Sequence, residues 1–155
     1  MKKSRHKLLV GVIFVIYLVM LVYFMFFAEV LGRSITSESY NYNLIPFKEI
    51  SRFIKYSDIL GMRAVAANLL GNVIAFVPFG LFLPGMINNR FGYIGMFFLS
   101  LDLSLFIEIS QLITKVGSFD VDDLILNTIG GVIGYCIYRL IRKFYKRNET
   151  LHEQG

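Results

Sequence analysis

The sequence predicts an all-α membrane protein, a bundle of four transmembrane helices with an amphipathic extracellular segment between the first and second helices. The 155 residues are 55% hydrophobic and only 17% charged, with a mean hydropathy of +0.60. Four apolar runs approach the about 20 residues that a helix needs to cross about 30 Å of hydrocarbon. Basic residues cluster in the terminal stretches MKKSRHK and RLIRKFYKR, which is typical of cytoplasmic flanks. This length and composition predict one membrane domain, residues 1–155.

The first apolar run, residues 8–28, follows the basic start of the chain. A secretory signal peptide usually has a shorter apolar region and a cleavage site of small residues. The stretch EVLGRSI that follows this run matches such a site poorly. We therefore expect an uncleaved first transmembrane helix.

The outer segment, residues 29–68, contains a second periodic pattern. The residue before Pro46 is expected to be extended, because a following proline disfavours the helical region. After it, apolar residues recur at spacings of three and four while basic residues fall largely on the other side: the apolar set is Phe47, Ile50, Phe53 and Ile54. This pattern predicts a short amphipathic helix. It could lie on the outer membrane surface or pack on the bundle as an ordinary surface helix, and the two do not exclude each other.

The remaining spans are predicted at about residues 69–87, 91–113 and 124–141. With the N-terminus inside, ten Lys and Arg residues fall on the cytoplasmic side and six outside. We therefore expect a multi-pass protein of the cell membrane with both termini in the cytoplasm. Residues 88–90 then form a tight inside turn, and residues 114–121 a short outside turn.

Polar residues gather where three of these spans approach the outer surface. The second span begins there, the third ends there and the fourth begins there, so their polar side chains lie at similar depth. The residues concerned are Asn68, Asn72, Glu108, Gln111, Asp120, Asp122, Asp123 and Asn127. This convergence predicts one polar site in the outer half of the bundle.

Helical phase supports a shared site. On the third span, spacings of four and three place Ser104, Glu108 and Gln111 on one face. On the fourth span, Asp123 and Asn127 share a face with Gly130 and Gly134. The Gly130-x-x-x-Gly134 pair would let a neighbouring helix approach closely, and packing alone would also explain it.

The cost of placing a carboxylate in a membrane makes Glu108 the first functional candidate. Insertion scales assign about 2.5–3.5 kcal/mol to an acid at the bilayer centre, and such residues usually face a bundle interior. Desolvation favours the uncharged carboxyl group, which suits general acid or base chemistry. Asp123 is the second catalytic candidate. Hydrogen bonding to Gln111, Asn72 or Asn127 is the structural alternative for Glu108, and an N-cap of the fourth span is the alternative for Asp120.

Several other chemistries find no support in the sequence. No basic face or fold motif points to nucleic acid, and the single Cys136 allows neither a disulfide framework nor a cysteine-based metal site. Both histidines, His6 and His152, lie at the termini, away from the polar site. We expect no cofactor and no dedicated metal ligands, although acids and amides of this kind could hold Mg²⁺ or Ca²⁺. Asp102 receives no role.

The order and spacing of the polar motifs resemble the VanZ-like family. The resemblance runs from about residue 40 to 138 and covers Asn43-Leu-Ile-Pro46-Phe47, Asn68-x-x-x-Asn72, Phe76-Val-Pro78-Phe-Gly80, Glu108-x-x-Gln111 and Asp120-x-x-Asp123-x-x-x-Asn127-x-x-Gly130. It implies a small bacterial integral membrane protein associated with resistance to the glycopeptide antibiotic teicoplanin. It also marks Asn43 and Phe47 as candidate ligand-binding residues beside Asn68, Asn72, Gln111, Asp120 and Asn127.

Three functions remain open at this point. The first is a resistance factor that binds, shields or alters a lipoglycopeptide or a lipid-linked wall precursor at the outer leaflet. The second is an enzyme that acts on a lipid-linked envelope substrate through the carboxylates of Glu108 and Asp123. The third, a transporter or channel component, is the weakest, because four spans are few and no paired hydrophobic halves are seen. The bilayer is the expected surrounding in each case, and the oligomeric state is open.

Overall fold

The computed structural model describes residues 2–32, 41–87 and 92–152. Within these ranges it confirms the predicted fold class, with four helices long and apolar enough to span a membrane. The elements in chain order are α1 (Lys2–Gly32), β1 (Asn41–Asn43), α2 (Lys48–Lys55), α3 (Ser57–Leu60), α4 (Met62–Met86), α5 (Tyr93–Thr114), β2 (Ser118–Asp120) and α6 (Val121–His152). The predicted inside turn at residues 88–90 lies outside the described residues.

The membrane-length parts of the helices match the predicted spans, with shifted ends. They are Leu8–Phe26, Val65–Met86, Tyr93–Thr114 and Val121–Arg147. The largest difference is in α6, which continues as one helix well past residue 141. The prediction followed the end of the apolar run and therefore ended the helix too early. Basic residues favour helix formation, so α6 continues beyond its apolar run. We call the end of the bundle formed by β1, α2, α3 and β2 the site end, and the opposite end the basic end.

Glycines set the spacing between two of the central helices, α4 and α6. A Cβ atom on Gly130 would lie 2.1 Å from the Val73 carbonyl oxygen, and one on Gly134 would lie 2.0 Å from that of Val77. Both distances are far inside van der Waals contact, so the backbones of α4 and α6 touch directly. The close approach predicted from Gly130 and Gly134 is therefore confirmed, and it brings the first turns of α4 and α6 together at the site end.

The first helix lies on the outside of this group. The Tyr17 hydroxyl donates to the Ala75 carbonyl oxygen at 2.7 Å, and the Phe14 ring stacks on Phe79 with 6.1 Å between centroids. Leu21 and Met25 are buried against α4 and α5. Much of the remaining surface of α1 exposes large apolar side chains, as expected of a helix that faces lipid.

A small parallel sheet at the site end adds a feature that the all-α prediction lacks. Strand β1 pairs with β2, and the register places Asn43 opposite Asp120. The two strands have three residues each and lie 77 positions apart, so they carry no alternation that a sequence pattern could reveal. The pairing fixes the outer segment to the start of α6.

The predicted amphipathic helix is present as α2, and it starts directly after Phe47, whose backbone is left-handed with φ of 63°. Ile50 and Phe53 are half-buried on the bundle, whereas Phe47 and Ile54 stay 57% and 60% exposed. One part of its apolar face therefore packs on the protein, as a surface helix does, and the placement of the exposed part on the membrane surface stays a prediction.

Candidate functional site

The first turn of α6 is built around Asp120. Its Oδ1 atom accepts the backbone N–H of Asp122 at 2.9 Å, which is the geometry of a helix N-cap. The same oxygen accepts the side-chain amide of Asn43 at 3.1 Å. The N-cap interpretation of Asp120 is therefore confirmed, and its carboxylate also ties β1 to α6.

The backbone N–H of Asp120 is taken by Glu108 from the neighbouring helix. Glu108 is 2% exposed, and its Oε2 atom accepts this N–H at 2.9 Å. In a capping box, the side chain three residues after the N-cap, here Asp123, would reach back to that N–H. Asp123 instead accepts the side-chain amide of Asn72 from α4. The cap is thus completed between helices, which links α4, α5 and α6 at the site end.

Asp122 is the residue whose role the sequence did not reveal. Its carboxylate is 1% exposed and accepts three backbone N–H groups at the start of α2. Oδ1 accepts the N–H of Phe47, and Oδ2 accepts those of Glu49 and Ile50 at 2.8 and 3.1 Å. These donors would otherwise be unsatisfied, because the first N–H groups of a helix have no partner within it.

One signal in the sequence could have located this contact. The helix after Pro46 has Phe47 at its N-cap position, and phenylalanine offers no oxygen to the first turn. Such a helix needs an acceptor from elsewhere in the fold. The nearby acids Asp120 and Asp123 already had proposed roles, so Asp122 was the acid available to accept these N–H groups.

Two amides extend the cluster to neighbouring helices, Asn127 toward the middle of the bundle and Gln111 nearer the site end of α5. Asn127 is fully buried, and its Nδ2 atom donates to the Ser104 hydroxyl at 2.9 Å. Gln111 is 3% exposed and donates from Nε2 to the Met25 carbonyl oxygen at 3.1 Å. Asn127 therefore joins α5 to α6, and Gln111 joins α5 to α1.

Glu108 accepts a hydrogen bond that the sequence did not suggest, from the backbone N–H of Asp120. The sequence suggested the amides of Asn72, Asn127 or Gln111 as its partners. In the structure these amides donate to Asp123, to Ser104 and to the Met25 backbone. The backbone N–H of Asp120 meets Glu108 because α6 begins directly beside the last turns of α5.

Not every predicted site residue joins these hydrogen bonds. Asn68 is exposed, one turn before Asn72 on α4. The Phe47 side chain is also exposed, although its backbone N–H is held by Asp122. Asp102, which received no role, is exposed midway along α5. The structure thus groups Asn43, Asn72, Glu108, Asp120 and Asp123, with Asn127 deeper and Gln111 closer to the site end of α5, and leaves Asn68 outside the group.

Burial and charge act together on the Asp120 carboxyl group. Burial raises its pKa above the usual value of 3.8, and the neighbouring charges of Asp122 and Glu49 act in the same direction. The N–H of Asp122 and the amide of Asn43 oppose this shift by stabilising the carboxylate. Asp120 therefore accepts a proton more readily than an exposed aspartate does.

Among the described residues, the acids of the cluster act as hydrogen-bond acceptors rather than as a set of metal ligands. Across the part of the chain that the structure describes, no group of three or more His, Cys, Asp or Glu side chains could hold a metal ion. The Asp120 and Asp122 carboxylates each accept at least two N–H groups. Deeper in the bundle, the Oδ1 atom of Asn127 is buried and accepts no hydrogen bond from the described residues. This oxygen is therefore an unsatisfied buried acceptor.

Comparison with known proteins agrees with the motif spacing. The family model described as VanZ/LLP1 matches residues 14–142, which include every residue of the cluster. Protein VanZ from Enterococcus faecium is 42% identical over 76 residues, which cover 48% of this chain and 46% of that relative. The match thus spans about half the length of the curated relative. No solved structure matches the chain significantly. The chain belongs to the VanZ/LLP1 family.

Proposed function

We propose that this protein protects bacteria against teicoplanin and related lipoglycopeptides by binding an amphipathic ligand at the outer leaflet. The ligand is either the antibiotic or a lipid-linked wall precursor. The family membership and the similarity to Protein VanZ support the association with resistance. In this proposal the site end faces outward, as the distribution of Lys and Arg suggests.

The observation that carries the proposal is the contact between Asp122 and the start of α2. Three N–H groups of the outer segment converge on one buried carboxylate of α6. This contact fixes a largely exposed helix directly above the acids and amides of the bundle. A polar cluster and an apolar, membrane-level surface are thereby held side by side.

The outer segment suits an anionic amphiphile. Phe47 and Ile54 expose apolar surface, which an acyl or polyprenyl chain could cover. Lys48 and Lys55 are exposed on the same short helix and could contact a phosphate or carboxylate group. Teicoplanin carries an acyl chain and lipid-linked precursors carry a polyprenyl chain, so both have the required chemistry.

An enzyme acting on a lipid-linked envelope substrate is the second candidate. It is favoured by the burial of Glu108 next to the cap of α6, where desolvation supports acid–base chemistry. Glu108 would act as the general acid or base. Asp123 would act as the second acid or base or as a cation ligand, and Asn72 and Asn127 would orient the substrate.

The proposal is tested by comparing cells that express the protein with cells that carry the empty vector. We expect a higher inhibitory concentration for teicoplanin and a smaller change for vancomycin, which lacks the acyl chain. Equal susceptibility of the two strains to teicoplanin would contradict the proposal.

The profile of lipid-linked precursors separates the two candidates. A binding protein leaves the profile unchanged, and the purified protein in lipid nanodiscs retains labelled teicoplanin or labelled precursor. An enzyme changes the profile, and the change disappears in Glu108→Gln at equal membrane levels.

A further inference from the structure

A cavity of about 600 Å³ opens at the basic end, between the start of α5 and the second half of α6. It lies at the opposite end of the bundle from the acids and amides described above. Its walls come from Tyr93 on α5 and from one side of α6. It therefore does not belong to the polar cluster at the site end.

The walls of this cavity carry strong positive charge. Four of the seven lining residues are Lys or Arg, and the other three are Tyr93, Cys136 and Leu140. The Arg139 guanidinium lies 5.8 Å from the centre of the Tyr93 ring, which fixes one cation against the wall. Among the residues whose side chains the structure describes, no carboxylate forms an ion pair with Arg139, Arg142 or Lys143.

The lining becomes more cationic along the axis of α6. Cys136, Arg139 and Leu140 line the part of the cavity nearer the middle of the bundle. Lys143 and Lys146 line the part farther out, and the distance from residue 136 to 146 is about 15 Å along a helix. Next to the cavity, Ile137, Ile141 and Phe144 expose apolar side chains. A phospholipid has the same order of groups, with acyl chains toward the bilayer centre and a phosphate at the surface.

From this order we propose that the cleft binds the phosphate headgroup of an anionic phospholipid, with Arg139 and Lys143 as its main contacts. The acyl chains then lie along the exposed apolar side of α6. Basic pockets between transmembrane helices are a recurring way to bind such headgroups. The inference depends on the placement of the helices in a bilayer and is independent of the proposed role in resistance.

The test uses the full-length protein in nanodiscs of phosphatidylcholine that contain a small fraction of phosphatidylglycerol. The lipids that stay bound after transfer to detergent are counted by native mass spectrometry. We expect enrichment of phosphatidylglycerol in the wild type and a loss of about tenfold in relative affinity in Arg139→Gln/Lys143→Gln. Lys143→Gln alone, at an exposed position, is expected to show part of this loss without affecting folding.

Arg63→Gln is the matched control, because Arg63 is exposed at the start of α4, at the other end of the bundle. Arg63→Gln removes one positive charge, as Lys143→Gln does, and should retain the wild-type preference for phosphatidylglycerol. An equal loss in Arg63→Gln would show a general charge effect and would overturn the proposal. Wild-type enrichment in the double variant would also overturn it. Inorganic phosphate should not displace the bound lipid, and full displacement by it would identify a site for free phosphate instead.

Discussion

Glu108 of α5 accepts the backbone N–H of Asp120 at 2.9 Å and thereby completes the N-terminal cap of α6. A helix usually obtains this acceptor from its own third residue, and here that residue, Asp123, bonds to Asn72 of α4. The start of α6 is therefore held by two neighbouring helices. The motif residues Asn72, Glu108, Asp120 and Asp123 therefore hold the helices together at the site end.

The glycine contacts predict a clear difference between two positions on one helix. In Gly80→Ala the new Cβ would lie 1.8 Å from the Gly131 carbonyl oxygen, so α4 and α6 must separate. We expect a loss of about 1–3 kcal/mol or more in the free energy of unfolding, measured by thermal melting in detergent. Gly71→Ala is the matched control, because nothing lies within 4 Å of a Cβ there. Equal melting temperatures of the two variants would contradict the close packing.

The cap on α2 predicts a local effect of Asp122→Asn. The amide removes the charge and one of the two acceptor oxygens that hold Phe47, Glu49 and Ile50. A hydrogen bond to a charged group is worth about 1.5–3 kcal/mol, so amide exchange in residues 48–51 should accelerate about tenfold or more. Hydrogen exchange read by mass spectrometry measures this rate. Asp58→Asn, at an exposed acid in α3, should leave it unchanged, and unaltered exchange in Asp122→Asn would refute the cap.

The raised pKa of Asp120 predicts a pH dependence of stability. Because the folded protein holds this proton more tightly than the unfolded chain, ionisation above the usual pKa of 3.8 lowers the free energy of unfolding. The contribution is fully present below that pH and is lost as pH rises through the raised pKa. Asp120→Asn keeps an oxygen acceptor for the N–H of Asp122 and does not titrate. The melting temperature of the wild type should therefore fall relative to Asp120→Asn as pH rises from about 3.8 through the raised pKa; a constant difference would refute the shift.

The contact between Asn72 and Asp123 predicts an energetic coupling between α4 and α6. A double-mutant cycle of Asn72→Ala and Asp123→Ala should give a coupling of about 0.6–1.7 kcal/mol, the range measured for hydrogen bonds between membrane helices. Ser110→Ala replaces Asn72→Ala in the control cycle, because the Ser110 hydroxyl donates within its own helix, to the Phe106 carbonyl oxygen. Additive effects in the Asn72 cycle would show that the two side chains do not interact.

Hydropathy and helical phase determined much of the fold in advance. Each apolar run of membrane length became a helix, because the bilayer interior leaves the backbone few alternatives. The spacing of Ser104, Glu108 and Gln111 placed all three on the buried face of α5. The pair Gly130 and Gly134 indicated which side of α6 another backbone could approach.

The contacts of the outer segment were not predictable in the same way. The pairing of Asn43 with Asp120 joins parts of the chain that are 77 residues apart, and such pairing leaves no periodic signal. The role of Asp122 depends on where α2 begins in space, which the sequence of α6 does not contain. Asn68, one turn before Asn72, is exposed and lies outside the hydrogen-bonded group, and its role in ligand binding stays a prediction.

Under the proposed function, the buried acid Glu108, which completes the cap of α6 from α5, serves protection from teicoplanin. The most direct test is the inhibitory concentration of teicoplanin for cells that express Glu108→Gln or Asp102→Asn at equal membrane levels. Both variants convert an acid of α5 to its amide, but Asp102 is exposed and lies outside the cluster. We expect lost protection in Glu108→Gln and wild-type protection in Asp102→Asn. Wild-type protection in Glu108→Gln, with an unchanged melting temperature, would contradict it.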